Sequence, residues 1–359
     1  MKITGLKVHV LEWERGPVIW RDGLMPGGTK GRDALLRIQT DEGVEGHSTA
    51  WRDANMEEMK WKLIGRDPLR IEEIWQDLWR NLRSHSIGGA IDAVDIALWD
   101  LMGKVTGQPV YRLLGGARQR LPAYASTQAL GSIPAFLGLA DEVFRRGYRA
   151  IKLHAWGRVQ DDAKLFRALR KHVGDDVVLM YDASTGFIFE DALYLGRVLE
   201  ELNYYWYEEP MDHLNLTALA RLANALTIPL AVHEVSPGGP FSALDHILAG
   251  AGDIMLTDPI MKMHGGFTGV MKTAHICEAF GMQCAIHGSQ IPMLHVACAI
   301  ANCRYFESLI PEGFPAPPGI HTAATEIAKD GTFGPWEKPG LGNEVDWKWI
   351  EAHTVRTIE

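Results

Sequence analysis

From about residue 121 the chain alternates short apolar segments with amphipathic ones at near-regular distance, and no other feature limits its fold as tightly. The candidate strands are LPAYAS, RAIKLHA, VVLMYDA, YYWYEEP, IPLAVHE, DIMLTDP, MQCAIHG and CRYFESL. Between them, stretches such as DDAKLFRALRKHVG and FEDALYLGRVLEELN carry apolar residues at helical spacing. Strands separated by helices pair in parallel through right-handed crossovers. Eight of them close a barrel of ~250 residues or fewer. A doubly wound open sheet is the alternative, but it would want a Gly-rich phosphate loop after an early strand, and no G-x-G-x-x-G stands there.

The first third has a different texture. KITGLKVHVLEW and DALLRIQTDEGVEGH read as strands, the second with a turn at Asp41-Glu42-Gly43. DPLRIEEIWQDLWRNL predicts a helix with Asp67 as N-cap and Pro68 at its first position. GGAIDAVDIALWDLMGKVTG predicts another, ending near Gly107. This part is α+β. The tail after about Thr325 is rich in Pro and Gly, then reads EVDWKWIEAHTVRTIE. It is expected to return to the first domain.

Polar residues at the strand ends carry the chemistry. Barrel active sites lie at the C-terminal ends of the strands. There the second strand offers Lys152 and His154, the third Asp182, the fourth Glu208-Glu209, the fifth Glu234, the sixth Asp258, the seventh His287 and the eighth Glu307. Asp182, Glu208 and Glu234 follow one another at intervals of 26 positions. A single acid at a strand end is more often a helix N-cap than a ligand. Three on consecutive strands cannot all stay ionised in a closed site without a cation. All-oxygen ligation favours Mg²⁺ over zinc. Glu208 is then the inward-facing acid of the EEP segment, with Glu209 facing away or pairing with a lysine.

Composition narrows the partners. A net charge of −9 argues against nucleic acid and anionic membranes. The N-terminal MKITGLKVHVLEWE alternates like a strand rather than a signal peptide, and no run approaches the ~20 apolar residues of a membrane span. Cys277, Cys284, Cys298 and Cys303 match no zinc spacing. They read as buried free thiols of a reducing, cytoplasmic compartment.

With AIDAVDIALWDLMGK at residues 90–104, Lys152-x-His154, Asp182, Glu208 in EEP, Glu234, Asp258, His287 and Glu307, nearly the whole chain resembles the enolase superfamily, and within it the mandelate racemase subgroup. The resemblance implies a modified TIM barrel, (β/α)7β, over 121–325. It implies an N-terminal α+β capping domain over 1–120, completed by the tail 326–359. It implies one Mg²⁺ per subunit on Asp182, Glu208 and Glu234, a dyad of Asp258 and His287, Glu307 bonded to the substrate carboxylate, and a homo-oligomer. Three departures stand out. The usual Lys-x-Lys is Lys152-x-His154 here, DPIMKMHGG is about two residues longer than usual before its paired glycines, and Asp182 precedes Ala-Ser rather than Ala-Asn. Lys262 is a rival base, since a strand-six lysine serves in the sister muconate cycloisomerase subgroup, but Asp258 already closes that strand.

Such a site suits removal of a proton α to a carboxylate. The enediolate formed carries two negative oxygens that a divalent cation stabilises. Enolase-type sites are described in these terms, with a Lys or His base and Mg²⁺. Asp258 would orient the His287 imidazole. Lys152 and His154 would serve the opposite face, either being the base. Loops 16–32 and 46–58 would close over the rim, with Arg21, His47, Trp51 and Arg52 as substrate contacts. Two facing imidazoles and a polar cap favour dehydration of an acid sugar to a 2-keto-3-deoxy acid. Racemisation or epimerisation of an α-substituted carboxylate and cycloisomerisation are the alternatives. An amidohydrolase would show His-x-His at the first strand, and LPAYAST has none. A Schiff-base aldolase on Lys152 would not need three acids, and a binding protein has little use for two opposed bases.

Overall fold

The computed structural model describes residues 1–15, 19–20, 25–26, 29–50, 56–82, 90–260, 264–310, 317–320 and 327–359. Strand β1 (Ile3–Glu14) is followed by two short strands, β2 (Ile19–Trp20) and β3 (Met25–Pro26), which pair with each other. Strands β4 (Lys30–Thr40) and β5 (Glu45–Ala50) form a hairpin whose turn uses Gly43 at φ 77°. Alternation puts Leu6, Val8, Leu36 and Ile38 on one face of the sheet, and a register shift between Ile3 and Gly5 brings Ile3 to the same face. That face packs on helices α1 (Met56–Leu63), α2 (Ile71–Leu82) and α3 (Ala90–Thr106). A short α4 (Val110–Leu113) leads on to the barrel. Helix α2 begins later than the sequence suggests. Asp67 Oδ1 accepts the Leu69 N–H at 3.0 Å, so the segment makes a side-chain-closed turn before the helix rather than capping it.

Eight parallel strands then alternate with seven helices. They are β6 (Leu121–Thr127), α5 (Ile133–Arg145), β7 (Ala150–His154), α6 (Val159–Val173), β8 (Val178–Asp182), α7 (Phe189–Glu201), β9 (Tyr207–Glu208), α8 (Leu216–Ala225), β10 (Leu230–Val232), α9 (Gly239–Ala249), β11 (Ile254–Thr257), α10 (Gly266–Ala279), β12 (Gln283–Ile286), α11 (Ile291–Ala299) and β13 (Phe306–Ile310). Strand β13 pairs in parallel with β6, from Phe306↔Ala123 to Ile310↔Thr127, and closes the cylinder. The barrel is therefore (β/α)7β. Tyr124, Ala150, Met180, Trp206, Ala231, Ile254, Leu256 and Ala285 fill its interior. Their outward neighbours, among them Ile151, Tyr181, Tyr207, Val232 and Met255, join the core under the helices.

In the tail, β14 (Thr332–Phe333) pairs with β6, then α12 (Trp347–His353) leads into β15 (Thr354–Ile358), which adds to β1. The cap sheet is ordered β15-β1-β4-β5. Helix α3 lies between that sheet and α10, where its buried Asp92 and Asp95 accept backbone N–H groups of Gly265, Gly266 and Thr268. The four cysteines are buried and free. Among the described residues, no helix is long and apolar enough to cross a membrane.

Candidate active site

Strand alternation aims most of the site inward. On β7, Lys152 and His154 lie two residues apart and share the interior face with Ala150. Asp182 and Glu208 end β8 and β9 at the same level, as register partners. Glu234 is different. Glu208 pairs with Ala231, so Glu234 lies three positions beyond that level although the sequence interval is again 26. Continued alternation would point His233 inward. Instead His233 takes φ 89° and sends its ring to the Leu256 carbonyl (3.0 Å) and to Ser242 (2.8 Å). Its neighbour Glu234 then turns to the interior, and ligand atoms of Asp182, Glu208 and Glu234 come within 4.8 Å of one another.

Glu209 takes part in this turn, contrary to the expectation that it faces away or meets a lysine. It is buried, adopts φ 41°, and its Oε1 accepts the Glu234 N–H at 2.9 Å. Ser184 and Thr185, just past β8, also have positive φ. Such strain in non-glycine residues concentrates at functional sites.

Lys152 is wholly buried. Its Nζ lies 2.6 Å from Glu208 Oε1, 2.9 Å from Glu307 Oε1 and 3.9 Å from Asp182 Oδ2. Burial works against its charge, but Glu208 and Glu307 outweigh that and raise its pKa well above the ordinary lysine value. Glu208 is engaged on both oxygens, since the Trp206 indole donates to Oε2 at 2.9 Å. Burial and the neighbouring acids push the Glu208 carboxyl well up, against the pull of Lys152. Glu307 Oε2 accepts the Gly288 N–H at 2.7 Å. Burial would raise this carboxyl, yet Lys152 and His287 hold it down at about 2.

Two imidazoles border the acids from opposite walls. His154 Nδ1 donates to the Thr127 carbonyl at 2.5 Å, and its Nε2 lies 2.7 Å from Asp182 Oδ2. Burial raises the Asp182 carboxyl, but His154 and Lys152 bring it below the usual carboxylate range. His287 Nδ1 lies 2.8 Å from Asp258 Oδ2, and its Nε2 lies 3.4 Å from Glu234 Oε1. Burial disfavours the charged ring, but Glu234 and the Asp258 hydrogen bond raise His287 to about 10.

Lys152, His154, Asp182, Glu208 and Glu307 thus form one bonded group and Glu234, His287 and Asp258 another, and the two meet where Glu234 approaches Asp182 and Glu208. His47 is brought to neither. Its Nδ1 lies 3.0 Å from Lys104 Nζ, beside Asp100, and its ring packs on Trp347 inside the cap. Arg21, Trp51, Arg52 and Lys262 lie outside the described residues. Sequence reasoning missed Glu209, His233 and Trp206. The adjacent pairs Glu208-Glu209 and His233-Glu234 were the available signal, because in each pair only one side chain can follow the strand's inward face. The donor set itself fits a hard cation. It is all carboxylate oxygen, with Asp182 and Glu208 buried and Glu234 partly so, and crowded enough to draw Lys152 and both imidazoles to it.

The chain also resembles known proteins in sequence and in fold. Residues 135–349 match the enolase C-terminal domain-like family, and residues 27–115 match the mandelate racemase / muconate lactonizing enzyme N-terminal domain. The chain is 32% identical to 3,6-anhydro-alpha-L-galactonate cycloisomerase of Streptomyces coelicolor, over 80% of this chain and 79% of that one. It is 32% identical to arabinonate dehydratase of Saccharolobus solfataricus, over 67% and 68%. D-glucarate dehydratase from Agrobacterium tumefaciens, crystallised with magnesium, superposes with a TM-score of 0.91 at 34% identity, covering 99% of this chain and all of that one. With both domains matched and the acids gathered at one barrel rim, the chain belongs to the mandelate racemase / muconate lactonizing enzyme family of the enolase superfamily.

Proposed function

We propose that this protein is a Mg²⁺-dependent lyase that removes the α-proton of an acid sugar and expels the β-hydroxyl, giving a 2-keto-3-deoxy acid. The observation that carries this reading is the pair of imidazoles on opposite walls of one carboxylate cluster, His154 against Asp182 and His287 against Glu234. An acid sugar needs one group to take the α-proton and another to protonate the departing hydroxyl, and a neutral imidazole can do the first and a charged one the second. Named relatives support the class, since arabinonate and D-glucarate dehydratases act on acid sugars.

Asp182, Glu208 and Glu234 would hold one Mg²⁺ per subunit, which when bound stabilises negative charge developing on the substrate carboxylate. Glu307 and Lys152 lie beside that position and would orient the carboxylate. Lys152 is the less apt base, because its ammonium is committed to Glu208 and Glu307. His154, nearer the strand end, would act on one face. His287, with its tautomer set by Asp258, would take or give a proton on the other. We read residues 1–120 with 326–359 as the cap and 121–325 as the barrel. Arg21, Trp51 and Arg52 remain candidate contacts on the cap loops, and His47 a candidate support for them. The four buried free thiols suit a cytoplasmic enzyme, and a homo-oligomer is expected.

The test is incubation of a panel of acid sugars with enzyme and Mg²⁺, with the 2-keto product trapped by semicarbazide. A keto product from at least one sugar is expected. If none forms, while some substrate inverts at its α-carbon with solvent deuterium incorporated, the enzyme is a racemase or epimerase. An isomeric product without loss of water would make it a cycloisomerase, the reading favoured by the Streptomyces coelicolor relative.

A further inference from the structure

The loop between β11 and α10, where this chain is longer than the resemblance would suggest, places a third histidine beneath the His287–Asp258 pair. His264 is fully buried. Its Nε2 lies 3.0 Å from the Ser236 carbonyl, which can only accept, so that nitrogen carries the proton. Its Nδ1 lies 3.0 Å from the Asp258 N–H, which can only donate, so that nitrogen offers its lone pair. The Thr257 hydroxyl is 3.0 Å from the same nitrogen. Two backbone groups therefore dictate one neutral tautomer. The peptide it holds is a pivotal one: the Asp258 N–H bonds to His264, and the Thr257 C=O of that same peptide accepts the His287 N–H at 2.9 Å.

His264 has little room to move. Its ring stacks on His233 at 4.9 Å and 17°. A Cβ at Gly269 would lie 1.9 Å from its carbonyl oxygen, and one at Gly239 2.8 Å from it. The next residue is gripped from the cap. Asp92 Oδ1 on α3 accepts the N–H groups of Gly265 (2.6 Å) and Gly266 (3.0 Å), and the Trp75 indole on α2 donates to the Gly265 carbonyl at 2.8 Å.

We infer that His264 is a positioning residue: by accepting the Asp258 N–H it fixes the Asp258 carboxylate, and through it the orientation of His287, and it ties both to the cap. The catalytic part of this inference rests on the proposed function, while its structural part does not. The test uses the full-length, Mg²⁺-loaded protein with ¹⁵N-labelled histidine. His264→Phe keeps a ring on His233 but has no acceptor, and His264→Asn keeps an acceptor close to Nδ1. The low-field Nδ1–H signal of His287, assigned by its loss in His287→Asn, should vanish in His264→Phe and persist in His264→Asn. On whichever acid sugar is turned over, kcat should fall about 10–100-fold in His264→Phe, the scale of losing a group that orients a functional one. KM should change less than about threefold, and His264→Asn should restore most of kcat. A wild-type signal and kcat in His264→Phe would overturn the inference, as would His264→Asn behaving like His264→Phe. If His264→Phe does not fold, His264→Ala takes its place, and failure of both to fold makes the residue structural and overturns the inference. If no acid sugar reacts but the signal follows the expected pattern, the proposed reaction fails while the positioning role stands.

Discussion

The two imidazoles that flank the carboxylates are held by different means. His154 sits within strand β7, 3% exposed, bonded to the neighbouring strand through Thr127 and directly to Asp182. His287 sits just past β12, 19% exposed, and takes its orientation from Asp258, whose peptide is in turn held by a loop that the cap grips. One side is made by sheet geometry and is part of the acid cluster. The other is made by loops and meets the acids at Glu234, 3.4 Å away. It follows that a change on the β7 side should disturb metal binding together with catalysis, whereas a change at His287 should separate the two.

The largest effect is expected where both sides meet. Glu208 is bonded to Lys152 and Trp206 and is one of the three clustered acids. Glu208→Gln should lower turnover by about 10³-fold or more, the scale of losing preorganised stabilisation of developing charge. It should also abolish the Mg²⁺ binding heat in calorimetry while the protein still folds. Full activity after exhaustive chelation would show that neither side works through a metal.

The comparison itself is tested by His287→Asn against His154→Asn. Removing a general acid or base costs about 10²–10⁴-fold in turnover, and both variants should fall in that range. They should differ in metal affinity. His287→Asn should leave the Mg²⁺ dissociation constant within about threefold. His154→Asn, which removes the partner of Asp182, should weaken binding by about 10–100-fold, as loss of groups that orient ligands does. His287→Asn should also retain exchange of one substrate α-proton in D₂O if His154 acts alone on its face. Equal effects on metal binding would erase the distinction.

A smaller effect is expected at Glu209, which bonds the Glu234 backbone without being one of the three clustered acids. Burial, then Glu234 and Asp182, push its carboxyl well above the ordinary range, and its Oε1 accepts the Glu234 N–H, an acceptor that a glutamine amide also offers. Glu209→Gln should therefore resemble the wild type. Glu209→Ala should weaken Mg²⁺ binding by about tenfold. A dissociation constant unchanged in Glu209→Ala would mean that Glu234 reaches the cluster without this hydrogen bond.

What could be read from the sequence divides along the same line. Lys152, His154, Asp182 and Glu208 were legible because strand alternation alone aims them, and alternation is a local property. The barrel was legible because the apolar segments recur with helices between them. Glu234 was identified, but the regular interval of 26 concealed that it lies past its strand and reaches the cluster through the positive φ of His233. Glu209 was misread because a left-handed residue breaks the alternation on which the reading depended. His47 was read as a loop residue near the substrate, but Lys104 and Asp100, more than 50 positions away, hold it in the cap. His264 gave one trace, the extra length before Gly265-Gly266, and nothing in that length says which backbone groups its ring meets. Long-range contacts of this kind have no periodicity to reveal them.

The smallest effect concerns the grip of the cap on the His287 side. Burial raises the Asp92 carboxyl to about 8, although the Gly265 and Gly266 N–H groups pull it down. Both N–H groups bond to Oδ1, and Oδ2 has no partner among the described residues. An ordinary aspartate titrates near ~3.9. Between that value and about 8, the folded protein binds a proton that the unfolded chain does not. Stability from neutral Asp92 is therefore fully present below pH ~4 and is lost as pH rises through about 8. Asp92→Asn presents the same oxygen to both N–H groups and cannot ionise. Relative to the wild type it should gain about 1–3 kcal/mol of unfolding free energy between pH 5 and pH 8, within the linkage limit set by that shift. Urea unfolding of the two proteins at both pH values measures it. A difference that stays constant with pH would mean that Asp92 is ionised in the fold, and that the cap holds the Gly265-Gly266 turn with a charge rather than a neutral acid.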